Sequence, residues 1–325
     1  MYIINRIIAM FMSVIMGLMS MFGIAAPGTD IDESEWNTNY TYVFVHGLMG
    51  WGEYDAHNNL MPYWGMFGGD LMKYLNNNGF DCAAASVAPT SSAWDRACEL
   101  YAQLTGTVVD YGEAHAEKYG HDRYGEDFTG KALIDNWSAE DKINLLGHSF
   151  GGATVRMLAH LMAQGDAEEM TKTASDDISG LFTGGKADWI YSVTALAAPH
   201  NGTTAYGVEE SEEAALDTAA YDMHIDNALA MNEKLTISDN TYYFSIACSM
   251  TKANEDGTHS PVKENMESLF TSSSAEMGKL SGTTPGGYVV DEKWFENDGL
   301  VNTLIITLFS LIIGIVIGIA AVVAI

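Results

Sequence analysis

The stretch Ile143-Asn144-Leu145-Leu146-Gly147-His148-Ser149-Phe150-Gly151-Gly152 decides the fold class of this chain. Its first four residues predict a short buried strand that ends at Gly147. A serine at so sharp a passage from strand to helix needs strained backbone angles, and flanking glycines avoid side-chain clashes there. The pattern Gly-x-Ser-x-Gly also occurs by chance, but this context favours a nucleophilic Ser149. The helix expected behind it has apolar residues at helical spacing, at Val155, Leu158 and Met162.

Short strands alternate with helical segments along the chain. The predicted strands are Thr41–Val45, Ile143–Leu146, Trp189–Ala197 and Thr241–Ala247. The predicted helices are Gly69–Asn77, Ala93–Leu104, Ala153–Ala163 and Ala228–Leu235. This alternation predicts an α/β fold with a mainly parallel central sheet flanked by helices. Residue composition predicts loops over Thr173–Lys186 and Lys252–Gly287.

A second glycine-rich motif, His46-Gly47-Leu48-Met49-Gly50, follows the first predicted strand. The carboxyl ends of parallel strands are where α/β sheets bind ligands, so this motif is expected near Ser149. Two backbone N–H groups, those of Leu48 and Phe150, would then form an oxyanion hole, which holds a negatively charged oxygen. The alternative is an ordinary glycine turn.

The composition excludes several classes of protein. Among 325 residues, 15 are Lys or Arg and 43 are Asp or Glu, which gives a net charge of −28. Nucleic acid is therefore not an expected partner, because binding it needs basic groups facing phosphates. Three cysteines are too few for a disulfide framework.

The two ends of the chain each contain a long apolar run without charges. Residues 1–25 have a basic start, an apolar run and small residues at the exit, which predicts a signal peptide and an exported protein. An uncleaved membrane anchor is the alternative. Residues 304–325 carry no charge and would span about 33 Å as a helix, which predicts a transmembrane helix. A buried β-rich segment is the alternative there.

The chain resembles bacterial lipases of the bacillus and staphylococcus type. The resemblance runs through VFVHGLMGW, YWGMFGGD, the block Trp94–Gly125, LLGHSFGGATVRML, SVTALAAPHNGTT, NTYYFSIA and WFENDGLVNT. It implies an α/β-hydrolase fold over residues 26–303 and an exported enzyme that hydrolyses acylglycerols or small carboxylic esters. It further implies a triad of serine, aspartate and histidine, and a structural zinc ion.

The resemblance implies four zinc ligands, Asp95, His115, His121 and Asp222. Neutral imidazoles and carboxylates are proper zinc ligands, and four of them would close a structural site. The spacing by itself matches no strong metal motif, and without the resemblance these residues read as surface positions.

The resemblance places the acid of the triad at Asp298, in Glu296-Asn297-Asp298-Gly299, where a simple turn is the alternative. The fold requires the histidine after the acid, but none follows Asp298, so the triad histidine is unassigned. His200 is considered as a substitute because it follows a predicted strand. Calcium is not expected, since the sequence lacks the residues that would hold it.

Three interpretations remain open from the sequence. The first is an active exported lipase or esterase with Ser149 as nucleophile. The second is a membrane-tethered, lipase-like protein without catalysis, because a serine without a base is a poor nucleophile. The third is a reading frame diverted after Thr303.

Overall fold

The computed structural model describes residues 38–66, 69–208, 215–264, 266 and 268–304. The strands are β1 (Thr41–Val45), β2 (Cys82–Ala85), β3 (Val108–Asp110), β4 (Tyr124–Asp127), β5 (Ile143–His148), β6 (Ile190–Leu196), β7 (Tyr242–Ile246), β8 (Thr251–Ala253), β9 (His259–Pro261), β10 (Gly282–Thr283) and β11 (Val289–Val290). The α-helices are α1 (Leu71–Asn77), α2 (Ala93–Thr105), α3 (Glu113–Tyr119), α4 (Phe150–Gln164), α5 (Ala167–Lys172), α6 (Ala219–Met223), α7 (Ile225–Lys234) and α8 (Ser268–Met277).

A five-stranded parallel sheet forms the centre of the fold, in the order β2-β1-β5-β6-β7. In its middle, Val43 of β1 pairs with Leu145 of β5, which in turn pairs with Val193 of β6. All three side chains are buried. The structure therefore confirms the predicted α/β fold with a parallel central sheet. Because the strands are parallel, the segments that follow β1, β5 and β6 emerge at the same edge.

The main hydrophobic core lies between this sheet and helices α2 and α4. Leu100 and Leu104 of α2 and Leu158 and Met162 of α4 are almost fully buried there. The hydroxyl group of Ser92 accepts a hydrogen bond from the backbone N–H of Asp95, in the first turn of α2, and so caps the start of that helix. Helix α4 begins directly after Ser149, so the core also fixes the turn that carries this serine.

Most predicted elements lie where the sequence placed them, within about three residues. The prediction of a loop over Lys252–Gly287 is wrong, because this stretch contains β9, α8 and β10 as well as part of β8. These strands are only two or three residues long, and α8 carries a serine-rich sequence without a clear apolar stripe. Short paired strands of this kind give too little periodicity to be recognised.

Strand β7 forms one edge of the described sheet and carries exposed aromatic side chains. Tyr242 is 58% exposed and Phe244 is 54% exposed. Tyr191 of β6 lies beside Tyr242, with ring centroids 5.3 Å apart. This edge of the sheet is therefore apolar as well as open in hydrogen bonding.

Among the helices that the structure describes, none is long and apolar enough to cross a membrane. The predicted signal peptide, residues 1–25, lies outside the described residues. The predicted transmembrane helix, residues 304–325, lies outside them as well, apart from Leu304.

Candidate active site and metal cluster

Ser149 occupies a strained turn between β5 and α4. Its backbone has φ 52° and ψ −129°, a conformation that non-glycine residues rarely adopt. Its N–H donates to the carbonyl of Leu196, 2.8 Å away, at the end of the neighbouring strand. The residue is of intermediate exposure and not buried. Strain of this kind in a residue held by two strands is a common feature of functional sites.

The glycines of this turn are required by close packing of the backbone. A Cβ at Gly147 would lie 2.3 Å from the carbonyl oxygen of Gly151. A Cβ at Gly151 would lie 2.2 Å from the carbonyl oxygen of Val45, at the end of β1. Both distances are far below van der Waals contact, so the turn packs against its own helix and against β1 only with glycine at these positions.

The loop after β1 lies directly against Ser149. A Cβ at Gly47 would be 2.7 Å from the Cβ of Ser149 and 3.3 Å from its hydroxyl oxygen. Within the described ranges, neither the Leu48 N–H nor the Phe150 N–H donates a hydrogen bond to a protein acceptor. The loop and the turn thus bring two available backbone donors close to the hydroxyl group of a partly exposed serine.

Arg96 of α2 anchors the loop after β1 through hydrogen bonds to its backbone. Its guanidinium is fully buried and donates to the carbonyl oxygens of His46, of Gly47 at 3.4 Å and of Ala88 at 3.1 Å. A fourth hydrogen bond, 2.9 Å long, goes to the hydroxyl group of Thr154 on α4. Burial lowers the pKa of Arg96 to about 10, so the side chain stays charged at neutral pH. One side chain therefore fixes the loop to the helix that begins at Ser149.

Asp298 lies in a tight turn near the end of the described chain. Its carboxylate accepts hydrogen bonds from the N–H groups of Leu300 at 2.9 Å and Val301 at 2.7 Å. Burial raises the pKa of Asp298, and these backbone hydrogen bonds oppose the rise. The side chain of Asp298 therefore stabilises a tight turn, which is the alternative that the sequence predicts to a catalytic role.

Three histidines that follow or end strands of the central sheet contact partners other than Ser149. His46 contacts the Gly47 carbonyl through Nδ1, and His148 contacts the hydroxyl group of Tyr63. His200 contacts Arg156 through Nδ1, at 3.3 Å. Burial, together with the charge of Arg156, lowers the pKa of His200 to about 3. A histidine with such a low pKa is a weak base, so His200 is poorly suited to accept a proton from Ser149.

Two aspartates and two histidines form a cluster at the first turn of α2. The candidate ligand atoms of Asp95, His115, His121 and Asp217 all lie within 4.8 Å of one another. The ring Nε2 of His115 is 3.1 Å from Asp95 and 3.2 Å from Asp217, and that of His121 is 3.3 Å from Asp217. Two imidazoles and two carboxylates at these separations match the donors and the number that a structural zinc ion takes.

The fourth member of this cluster is Asp217, where the sequence predicted Asp222. Asp222 lies one turn further on, in α6, and its carboxylate accepts a hydrogen bond from the N–H of Ala93, 2.7 Å away. Asp217 precedes the helix with a left-handed φ of 62°, which turns its side chain towards His115 and His121. Both aspartates occur in Leu-Asp-Thr-Ala-Ala-Tyr-Asp, and only the start of α6 distinguishes them.

The helix that carries His115 is anchored by a buried carboxylate that no sequence motif marks. Glu169 of α5 accepts hydrogen bonds from the N–H groups of Ala114 at 3.0 Å and His115 at 2.8 Å. The ring of Trp94 stacks on His115, with centroids 5.0 Å apart. Burial lowers the pKa of His115, but hydrogen bonds to Asp217 and Asp95 outweigh it and raise the pKa to about 9. A metal ion would therefore have to displace a proton at neutral pH.

Comparison with known proteins identifies relatives of this chain. Residues 38–216, more than half of the chain, match the family described as "Lipase-like, C-terminal domain". Lipase 2 of Staphylococcus aureus is 42% identical over 168 residues, which are 51% of this chain and 24% of that protein. The chain thus spans about a quarter of the length of that curated relative.

Two solved structures are similar to most of the chain. EstA from Clostridium botulinum has a TM-score of 0.74 at 31% identity and covers 87% of this chain and 76% of its own. The lipase of Staphylococcus hyicus has a TM-score of 0.71 at 27% identity, with 86% and 81% covered. The motifs around Gly47 and Ser149 and three members of the cluster, Asp95, His115 and His121, lie within residues 38–216, and this chain belongs to the lipase-like family defined by that C-terminal domain.

Proposed function

We propose that this protein is a carboxylic-ester hydrolase of the lipase type, with an α/β-hydrolase fold and Ser149 as its nucleophile. The observation that carries the proposal is the strained, partly exposed turn at Ser149, which lies against the loop of Gly47. Membership of the lipase-like family supports the same reaction class. Acylglycerols or smaller esters are the proposed substrates.

In the proposed reaction, the hydroxyl oxygen of Ser149 attacks the ester carbonyl carbon. The carbonyl oxygen becomes an oxyanion, which accepts hydrogen bonds from the N–H groups of Leu48 and Phe150. Expulsion of the alcohol leaves an acyl group on Ser149, and water then hydrolyses it. Asp298 is the proposed acid of the triad, and its position after β7 agrees with the chain order of this fold.

Proton transfer from Ser149 needs a base, and no histidine follows Asp298 in the 325 residues. The proposal therefore leaves the proton acceptor unassigned. A second candidate function is binding of lipid or ester at the same site without turnover. A site that lacks a base keeps only the part of catalysis that binding and the oxyanion hole supply.

We further propose a structural zinc ion held by Asp95, His115, His121 and Asp217. Bound there, the ion would supply cross-linking and not hydrolytic chemistry. The four residues come from α2, from α3 and the turn after it, and from the segment before α6. Asp95 and Asp217 flank contacts that join Thr90 and Ser91 to Thr218 and Ala219. Metal binding would therefore stabilise the attachment of these segments to each other.

Export is part of the proposal, on the pattern of residues 1–25, and residues 304–325 are proposed to anchor the protein in a membrane. Both assignments come from sequence. Fractionation of cells that produce the whole chain tests them, since recovery of unprocessed protein in the cytosol would contradict both.

The decisive experiment is labelling of the purified chain with a fluorophosphonate, which reacts with activated serines. We expect the probe on Ser149 and turnover of a short-chain ester, with both lost in Ser149→Ala. Ser272→Ala, at an exposed serine of α8, is the matched control and should keep both. Binding of an ester without labelling or turnover would favour the second candidate function, and absence of all three would reject both.

A further inference from the structure

The side chain of Tyr63 lies between the two segments that meet at Ser149. The N–H of Gly47 donates to its phenolic oxygen at 3.1 Å, and the same oxygen is 2.6 Å from Nδ1 of His148. The ring packs against Trp51 and Trp64, with centroids 5.4 and 5.3 Å away. The two hydrogen bonds therefore lie in an aromatic environment, where they are stronger than in water.

The chemistry of the three groups fixes the direction of one hydrogen bond, and the tautomer of His148 sets the other. A backbone N–H only donates, so the oxygen of Tyr63 accepts from Gly47, and with Nδ1 of His148 unprotonated the Tyr63 hydroxyl donates to it. Nδ1 of His148 is then an acceptor, and the ring carries its proton on Nε2. Burial supports this arrangement, since it raises the pKa of Tyr63 to about 12 and lowers the pKa of His148 to about 4. Both groups are neutral between these values.

We propose that Tyr63 is a positioning residue, whose hydroxyl group locks the loop of Gly47 to the turn of Ser149. His148 immediately precedes Ser149, and Gly47 immediately precedes Leu48, so the link spans the two proposed donors of the oxyanion hole. Arg96 holds the carbonyl side of Gly47, and Tyr63 holds its N–H side. The significance of this link for catalysis rests on the proposed function, whereas the link itself does not.

The consequence for catalysis is a change in kcat and not in KM. Tyr63→Phe removes the shared oxygen and keeps the ring. We expect kcat for a short-chain ester to fall about tenfold, with KM within about twofold, because the geometry of the donors matters most in the transition state. Tyr101→Phe, at a partly buried tyrosine of α2 that packs on the main core, is the matched control and should leave both constants unchanged.

A second pair of variants separates positioning from a general loss of stability. His148→Leu removes the acceptor, whereas His148→Asn places an amide oxygen near the position of Nδ1. We expect His148→Asn to restore most of the kcat that His148→Leu loses. An equal loss in the two variants would overturn the link through Nδ1.

Two measurements do not depend on turnover. Hydrogen exchange of the whole chain should show exchange at residues 46–50 about tenfold faster in Tyr63→Phe than in the wild type, because a lost hydrogen bond frees the Gly47 amide. In the wild type with ¹⁵N-labelled histidine, one ring should show an unprotonated Nδ1 coupled to a slowly exchanging hydroxyl proton, and His148→Leu should remove that signal. Unchanged exchange, or a protonated Nδ1, would overturn the proposal even in an active enzyme. A protein without turnover that passes both tests would refute the proposed function and retain the link.

Discussion

Gly47 and Ser149 lie so close that no side chain fits between them. A Cβ at Gly47 would be 2.7 Å from the Cβ of Ser149, although the two residues are about a hundred positions apart in the sequence. The contact joins the segment after β1 to the segment after β5, which are neighbours because the two strands pair in parallel. The sheet thus sets the distance between the proposed nucleophile and the loop that is proposed to hold the oxyanion.

Gly47→Ala should displace this loop and slow fluorophosphonate labelling of Ser149 by about 100-fold or more, since loss of one oxyanion donor has effects of that size. Gly130→Ala is the control, because nothing lies within 4 Å of the added carbon, and its only cost comes from the positive φ of Gly130, 72°. That variant should lose about 1 kcal/mol of stability and keep its labelling rate. Equal labelling rates in the two variants would contradict the proposed role of the loop.

The metal cluster gives a prediction about two aspartates five positions apart. Asp217→Ala should bind zinc at least about 100-fold more weakly than the wild type, since it removes a ligand and not an outer partner. Asp222→Ala should bind zinc with unchanged affinity and lose about 1 kcal/mol of stability, because it removes the acceptor at the start of α2. Metal analysis and calorimetry of the two variants check this, and loss of zinc in Asp222→Ala would restore the assignment made from the sequence.

Arg96→Lys should lower the free energy of unfolding by about 2–4 kcal/mol, because an ammonium group cannot reach the four acceptors that the guanidinium serves. The acceptors are three backbone carbonyl oxygens and one hydroxyl group, those of His46, Gly47, Ala88 and Thr154. Arg96→Met should lose at least as much, since it leaves every one of them unpaired. Urea unfolding measures both variants, and wild-type stability in either would contradict the interpretation.

Glu99 gives a prediction about pH. Burial raises its pKa from 4.5 to about 7, although the Ala88 N–H donates to it. The folded protein therefore holds this proton more tightly than the unfolded chain. The stability that Glu99 contributes is complete below pH 4.5 and is lost as the pH rises to 7.

Glu99→Gln removes this titration. Relative to the wild type, its free energy of unfolding should rise by up to about 3 kcal/mol between pH 4.5 and pH 7.5. Urea unfolding at the two pH values, with the same free zinc concentration, measures the difference. A difference between wild type and variant that does not change with pH would show that Glu99 does not titrate in this range.

The sequence predicted four of the five strands of the central sheet, because β1, β5, β6 and β7 carry apolar, aromatic or β-branched runs, and it did not predict the short, alanine-rich β2. β1 was predicted with its observed bounds, and β6 and β7 within one residue at each end. Ser149 was recognisable for the same reason, since the strand before it and the apolar stripe of α4 are both visible in the residue pattern. Local signals of this kind need no tertiary information.

The metal cluster and the link through Tyr63 depend on contacts that no local pattern records. A left-handed backbone angle just before α6 directs Asp217, and not Asp222, to the two histidines, and the residue pattern does not show that angle. Tyr63 lies in an irregular segment between β1 and β2, and its partner His148 is 85 positions away. Resemblance to a family supplied the other three residues of the cluster, Asp95, His115 and His121, which spacing alone did not assign.

The open edge at β7 has a consequence for how molecules of this protein meet in solution. Its exposed Tyr242 and Phe244 lie on a strand whose outer backbone groups can pair with another chain, which is the usual start of aggregation. The net charge of −28 opposes such encounters by mutual repulsion. High salt screens that repulsion, and acidification towards the isoelectric point near 4.3 removes it. Colloidal stability should therefore be lost under both conditions before the fold itself is lost.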